Sequence, residues 1–219
     1  MSMKLYFAPG ACSFVPHCLL EASGQPYEPE MVRLHKQENY SDAFKAINPR
    51  SQVPVLLDGD QAITQIVAII LHLDAQLPGG VLPASGMART RAIELLAWMN
   101  NTVHPTFTHI FLPHKFTDKP EIQPELKAYN TQVYRSLLGE LEATLQAMGA
   151  RGDAWIAGGE RFGPLDAYAL TLLRWGSIAG IDPAGYAALW SHVQKVAAVP
   201  AVAAVMERER LQLNLYRPA

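Results

Sequence analysis

A segment rich in proline and glycine, residues 78–86, divides the 219-residue chain into two parts of different character. Before it, short apolar runs alternate with helical patterns. After it, apolar residues recur at helical spacing and no strand pattern persists for long. Because such breaks are typical of domain boundaries, we predict an α/β domain at residues 1–79, a linker at 80–87 and an all-helical domain at 88–219.

The first part has the predicted order β-α-β-α-β-β-α. Residues 4–7 form an apolar run, residues 13–22 have a helical pattern ended by Gly24, and residues 27–34 alternate as a second strand. This βαβ unit predicts a parallel strand pair. After a short helix at 40–47, an Asp-Gly turn predicts a hairpin between a strand that begins near Pro54 and one at 61–63, followed by a helix at 65–77.

The second part has five helical patterns. We predict one long helix from residue 88 to about 114, bent near Pro105, because a proline interrupts the helical hydrogen bonding. An apolar stripe at 126–148 predicts the next helix. The pattern at 163–175 begins with Gly163 and Pro164, which suit a helix start. Residues 186–198 and 200–210 complete the domain.

Composition narrows the function classes. The apolar content of 49% is enough for a core, the net charge is −2, and no dense run of Lys and Arg is present. We therefore expect neither nucleic acid nor a membrane as a partner. No signal peptide is recognisable, so a cytoplasmic location is expected. Two cysteines, six positions apart, match neither a disulfide framework nor a zinc site.

Cys12 is the first candidate for chemistry, because it lies where the first helical pattern begins. The unpaired amides and the dipole at a helix start favour a thiolate, the reactive form of cysteine. Pro16 fits within the first turn, and a helix that begins at Ser13 would make Cys12 the cap. The alternative is an ordinary buried thiol, the role that we predict for Cys18.

Five motifs, in this order along the chain, resemble those of cytosolic glutathione S-transferases, most closely the bacterial beta class. They are Pro9-Gly10-Ala11-Cys12-Ser13 with Pro16-His17; Asn48-Pro49 with Gln52-Val53-Pro54; Thr64-Gln65 with Val67-Ala68-Ile69; His104-Pro105-Thr106-Phe107; and the segment 159–166. The resemblance implies a thioredoxin-like N-terminal domain that holds glutathione, an all-α domain that builds the second-substrate pocket, and a homodimer. No metal is expected, and no cofactor beyond glutathione as co-substrate.

The resemblance also implies a glutathione site. Val53 would pair its backbone with the peptide-like middle of glutathione, next to a cis bond to Pro54. The helix start at Gln65 and Ile66 would meet the γ-glutamyl carboxylate, although Ile66 lacks the hydroxyl that the family commonly has there. Lys36 would face the glycine carboxylate; a solvated surface lysine is the alternative.

His104 resembles the histidine that beta-class enzymes pair with their cysteine, and it could hydrogen-bond a sulfur or move a proton. Because a residue before proline avoids helical geometry, we expect Pro105 to turn it toward a cleft. Asn100 or Asn101 would reach glutathione across a dimer interface. The resemblance makes Asp166 structural, and helical spacing makes Tyr168 and Trp175 core residues.

The function that follows is conjugation of the glutathione sulfur to an electrophilic, largely apolar small molecule, with Cys12 and His104 as catalytic residues. Because cysteine is a better nucleophile than Ser or Tyr, a second interpretation is a glutaredoxin-like thiol transferase that forms a Cys12-glutathione mixed disulfide. A third is a non-catalytic binding or scaffold protein on the same fold.

Overall fold

The computed structural model describes residues 3–218. Four strands all lie before residue 65, and the remainder is helix and loop. The strands are β1 Met3–Phe7, β2 Tyr27–Met31, β3 Val55–Asp58 and β4 Gln61–Thr64. The helices are α1 Phe14–Ser23, α2 Asp42–Ile47, α3 Ile66–Gln76, α4 Gly86–Trp98, α5 His104–Phe111, α6 Gln123–Arg151, α7 Pro164–Ile178, α8 Ala187–Ala197 and α9 Pro200–Arg208.

The four strands form one mixed sheet in the order β2-β1-β3-β4. β1 pairs parallel with β2, so the predicted βαβ unit is confirmed. β3 is antiparallel to both β1 and β4, and the register of Asp58 opposite Gln61 confirms the Asp-Gly hairpin. A small sheet of this topology with a helical domain behind it is the predicted thioredoxin-like domain followed by an all-α domain.

The two faces of the sheet carry different cores. On one face α2 covers a small cluster around Phe44 and Val55. On the other, α1 and α3 belong to a continuous core that extends into the helical part, because α1 packs against both α7 and α9. Cys18 is fully buried there, as its predicted packing role requires. Both parts of the chain therefore share one apolar interior.

The long helix predicted around Pro105 is interrupted by a π-helical segment that the sequence did not predict. Between α4 and α5, Met99–Val103 forms a π-helical segment, and His104 keeps helical dihedral angles (φ −60°, ψ −49°). The expectation that Pro105 drives His104 out of helical geometry is therefore wrong. A proline needs space because its ring meets the carbonyl one turn earlier, and we attribute that space to the wider π turn.

Helix α7 begins as the sequence predicts. Gly163 is its cap and Pro164 its first residue, while Asp166 accepts from the Gly163 amide at 2.8 Å. Asp166 also accepts from the Ile156 amide and from His192. Its carboxylate is fully buried, and these contacts give it a structural role. Without a side chain on Gly163, only one half of a capping box is present.

Within residues 3–218, no single helix is long and apolar enough to cross a membrane. The pair α8 and α9 would qualify by length and composition only when taken together, and a bend of 84° separates them.

Candidate active site

A cavity of about 910 Å³ lies where the carboxyl end of β1 meets the helical part of the chain. Its wall is built from loops and helix ends rather than from one element. The contributing segments are the loop after β1, the segment after β2, residues 51–54 before β3, the start of α3, the region around His104 with α5, and the last turn of α7.

The loop between β1 and α1 carries Cys12, and its own hydrogen bonds hold it in shape. The Ser13 hydroxyl accepts from the Ala8 amide at 3.1 Å and donates to the Ala8 carbonyl at 3.2 Å. Gly10 has a left-handed conformation (φ +70°), which glycine adopts without strain. α1 begins at Phe14 with Ser13 at the cap position, so Cys12 precedes the helix by one residue more than predicted.

Cys12 is a thiol in this structure, not the thiolate that the sequence favoured. Its side chain is only 9% exposed. Burial raises its pKa to about 12, and the amides of Cys12 and Ser13 only partly oppose this. Desolvation of a small anion therefore outweighs the helix start here. The sulfur lies 3.9 Å from the Val53 carbonyl oxygen, to which the S–H can donate.

The segment before β3 brings Val53 to the cavity. Its bond to Pro54 is cis, as the resemblance implied. Buried Asn39 stabilises this segment, because its side-chain amide donates to the Ser51 carbonyl at 2.9 Å. The side-chain oxygen of Asn39 has no hydrogen-bond partner within residues 3–218. Asn39 also lines the cavity, a position that the sequence did not single out.

Gln65 and Ile66 form the start of α3. Gln65 is the cap, with φ +70° and ψ +121°, a strained conformation for a residue that is not glycine. Ile66 is the first helical residue and its side chain packs into the core, being 4% exposed. Both line the cavity. The first amides of a helix have no intrahelical partner, so this end can bind an anion.

His104 reaches the cavity from the first residue of α5. Its Nδ1 lies 2.8 Å from the Tyr168 hydroxyl, and its ring packs on the Trp175 indole with centroids 4.7 Å apart. Burial lowers the pKa of His104 to about 4, so the imidazole is neutral near pH 7. Nε2 has no partner in the described part of the chain and is left for a ligand.

The chain is similar to known proteins over nearly all of its length. GstA, a glutathione S-transferase of Escherichia coli O157:H7, is 34% identical over 215 residues, which cover 96% of this chain and all of that protein. This chain belongs to the glutathione S-transferase family. Residues 1–75 match the family description "Glutathione S-transferase, N-terminal domain".

Two solved structures agree with this assignment. A sphingomonad glutathione S-transferase, in complex with glutathione, has 32% identity and a TM-score of 0.79, with 95% of this chain and 100% of that chain covered. A beta-class enzyme of Sphingomonas chungbukensis has 28% identity and a TM-score of 0.80 over the same shares of the two chains. The predicted resemblance and fold are therefore confirmed.

This transferase brings most of the predicted site residues to one cavity. Those that line it are Cys12, Val53, Pro54, Gln65, Ile66, Asn100 and His104. Asn100 lines the cavity of its own chain and accepts a long hydrogen bond, 3.4 Å, from Tyr168, whereas Asn101 is exposed. Asn100 is thus the asparagine that faces this site.

Lys36 is the predicted site residue that does not line the cavity. It ends the short 3-10 turn Leu34–Lys36 and its side chain is exposed. Arg33 and His35 line the wall instead. Arg33 forms a 2.8 Å ion pair with Glu38, which fixes the turn. The structure therefore places Arg33, and not Lys36, in the cavity wall.

Two neighbouring residues of α7 line the cavity although the sequence did not assign them to it. Trp175 was predicted to be a core residue; it is largely buried, yet it forms part of the wall and packs on Phe107 with ring centroids 4.8 Å apart. Arg174 belongs to none of the sequence motifs. A helix surrounded by apolar neighbours gives no sequence signal for which residue faces a cavity between domains.

Proposed function

We propose that this protein catalyses the attack of the glutathione sulfur on an electrophilic, largely apolar small molecule. The observation that carries the proposal is the meeting of Cys12, Val53, Gln65 and His104 at one cavity. Apolar side chains form another part of its wall and suit the second substrate. They are Phe107, Phe111, Phe116, Trp175 and Ile178.

The residues that would hold glutathione come from the first part of the chain. The backbone of Val53 would pair with the peptide-like middle of the tripeptide. The amides at the start of α3 and the side chain of Gln65 would bind the γ-glutamyl carboxylate. We place Asn100 beside glutathione as a further polar contact.

The reaction needs a glutathione thiolate held next to the acceptor. The thiol proton passes to water, the sulfur lone pair forms a carbon–sulfur bond, and a leaving group departs with its bonding electrons or an adjacent double bond receives them. Because burial raises the pKa of Cys12 to about 12, its S–H remains available as a hydrogen-bond donor to that thiolate. Neutral His104 offers Nε2 as a second hydrogen-bonding group.

A second candidate function is thiol transfer, favoured by the position of Cys12 in the cavity wall. In that reaction the Cys12 thiol loses its proton, attacks glutathione disulfide and forms a Cys12-glutathione disulfide, while the other glutathione leaves as a thiolate that takes up the proton. The buried, protonated state of Cys12 argues for conjugation as the main activity.

Calorimetric titration with glutathione tests the shared basis of both functions. We expect saturable binding that Gln65→Ala weakens and that Gln61→Ala, an exposed change on β4, leaves unchanged. Absence of binding by the unaltered protein would contradict both functions and favour a scaffold protein.

Mass measurement after incubation with glutathione disulfide separates the two enzymatic functions. Conjugation predicts turnover of an electrophile in Cys12→Ala at a reduced but measurable rate, without a covalent adduct in the unaltered protein. An adduct that disappears in Cys12→Ala, with conjugation unaffected, would favour thiol transfer.

We also propose that the enzyme is a cytoplasmic homodimer that acts in detoxification and uses no cofactor besides glutathione as co-substrate. The resemblance to the family supports these points. Light scattering during size-exclusion chromatography tests the assembly: a mass near that of one chain would contradict the dimer.

A further inference from the structure

The cavity wall is positively charged, although the chain as a whole has a net charge of −2. Among the described residues, neither Asp nor Glu lines it. Three basic side chains do: Lys115, Arg174 and Arg33, the last of which is paired with Glu38 at 2.8 Å. The charge of such a wall attracts anions.

Arg174 differs from Arg33, which is ion-paired with Glu38, and it is less exposed than Lys115. It lies next to Trp175 on α7. Its Nε donates to the Gln212 carbonyl at 2.8 Å. Within residues 3–218, no carboxylate forms an ion pair with Arg174, and its two terminal nitrogens have no hydrogen-bond partner. Four further N–H donors of the guanidinium are therefore available.

The surroundings of Arg174 disfavour an isolated charge. It is partly buried, and burial lowers its pKa from the usual value, although an arginine remains cationic throughout the physiological range. The negative charge of Glu209 acts on Arg174, but Glu209 forms its hydrogen bonds with other groups. Its carboxylate accepts from the Gly10 amide at 2.8 Å and from His17 at 2.7 Å. An anion that entered the cavity would therefore gain a strong, charge-assisted contact.

The guanidinium also lies against the loop that carries Cys12. A methyl group built on Gly10 would lie 2.8 Å from Nη1 of Arg174, so this nitrogen rests against the loop two residues before Cys12. Val53 and Gln65, proposed to hold glutathione, belong to other segments of the wall. Arg174 thus lies on the helical side, together with Trp175 and Ile178.

We infer that the second substrate carries an anionic group, a carboxylate or a comparable oxyanion, which the terminal nitrogens of Arg174 bind while the apolar part of the substrate packs on Trp175. This inference rests on the proposed function and narrows it from apolar electrophiles in general to apolar electrophilic acids. Arg174 is then a specificity-determining residue of the second-substrate pocket.

Kinetics with one electrophile in charged and neutral forms test the inference. The probes are 4-chloro-3,5-dinitrobenzoate and its methyl ester, both of which release chloride when a thiolate replaces it. We expect Arg174→Gln to lower kcat/KM for the acid about tenfold or more and to leave the ester within about twofold. Arg174→Lys, which keeps the charge, should retain part of the preference. Arg91→Gln, an exposed change on α4, should alter neither.

Calorimetry with unreactive 3,5-dinitrobenzoate and its methyl ester gives a readout besides turnover. Binding of the acid that is lost in Arg174→Gln would support the inference, even if neither chlorinated probe were turned over. Lack of turnover would contradict only the proposed function. Equal losses for acid and ester, or unchanged kinetics for both, would overturn the inference. So would weaker glutathione binding in Arg174→Gln, because Arg174 would then belong to the glutathione site.

Discussion

The indole N–H of Trp175 donates a hydrogen bond of 2.8 Å to the carbonyl oxygen of Gly10, 165 positions earlier in the chain. The amide of the same glycine donates to Glu209 at 2.8 Å. Both hydrogen-bonding groups of Gly10 are therefore bound by the helical part of the chain, and the loop that carries Cys12 is positioned from two sides.

Replacement of Trp175 by phenylalanine removes the donor but keeps most of the apolar ring. We expect kcat/KM for glutathione to fall about two- to tenfold, because the Gly10 carbonyl loses a hydrogen bond of about 0.5–1.5 kcal/mol. Steady-state kinetics measure this. Trp190→Phe, the same change on α8, is the matched control, and an equal loss of activity in both variants would contradict the assignment to the Gly10 contact.

Cys12 should react slowly with alkylating agents in the free enzyme. Because burial raises its pKa to about 12, the thiolate fraction near pH 8 is far below that of an exposed cysteine. Mass spectrometry after timed exposure to iodoacetamide checks this. Cys12→Ala should show no labelling, since Cys18 is fully buried. Rapid labelling of Cys12 with a midpoint near neutral pH would contradict the prediction.

His104→Ala should lower turnover more than it lowers stability. The imidazole lines the cavity and is only partly buried, so its removal costs the fold less than it costs the reaction. Kinetics and thermal melting on the same preparation measure the two effects. A much lower melting temperature with an unchanged rate would show that the histidine is structural.

The same histidine should make the fold sensitive to acid. Below a pH of about 6.5 the unfolded chain binds a proton at His104, whereas the folded chain does so only near its pKa of about 4. The free energy of unfolding should therefore fall as the pH drops through this interval and level off below it. Urea unfolding at several pH values measures the slope, which should be shallower in His104→Gln than in His114→Gln, a change at an exposed site.

Glu209 should be among the most sensitive positions for stability. Its carboxylate is fully buried and binds both the Gly10 amide and His17. Glu209→Ala removes the partner of the Gly10 amide and of Nδ1 of fully buried His17, so we expect a loss of about 3 kcal/mol or more. Urea unfolding, with Glu207→Ala at an exposed neighbour as control, measures it. Similar stability of the two variants would rule out a structural role for the buried pair.

Local patterns predicted the strands, the hairpin and the helices of this enzyme well. The Asp-Gly turn placed β3 beside β4. Gly24 ends α1 with its left-handed conformation, and the last helical residue, Ser23, lies one residue beyond the predicted end. These features depend on neighbouring residues, whose chemistry a sequence reveals directly.

Features that depend on distant residues were missed or misjudged. The protonated state of Cys12 results from burial, which overrides the helix start next to it. Arg174 and Trp175 face the cavity because α7 crosses behind the Cys12 loop. Lys36 does not line the cavity, because the 3-10 turn Leu34–Lys36 places its neighbours Arg33 and His35 in the wall instead. None of these outcomes has a local pattern of its own.

The π-helical segment Met99–Val103 determines the rotational phase between α4 and α5. Each residue of an α-helix turns the chain by about 100°, and a π turn accommodates one residue more than an α turn. Regular α geometry over the same number of residues would rotate His104 by about 100°, away from the cavity, whereas deletion of one residue with a return to α geometry would leave its direction unchanged. Backbone geometry, as much as residue identity, therefore directs the His104 imidazole to the cavity, and this segment tolerates the loss of one residue better than it tolerates regular α geometry at its present length.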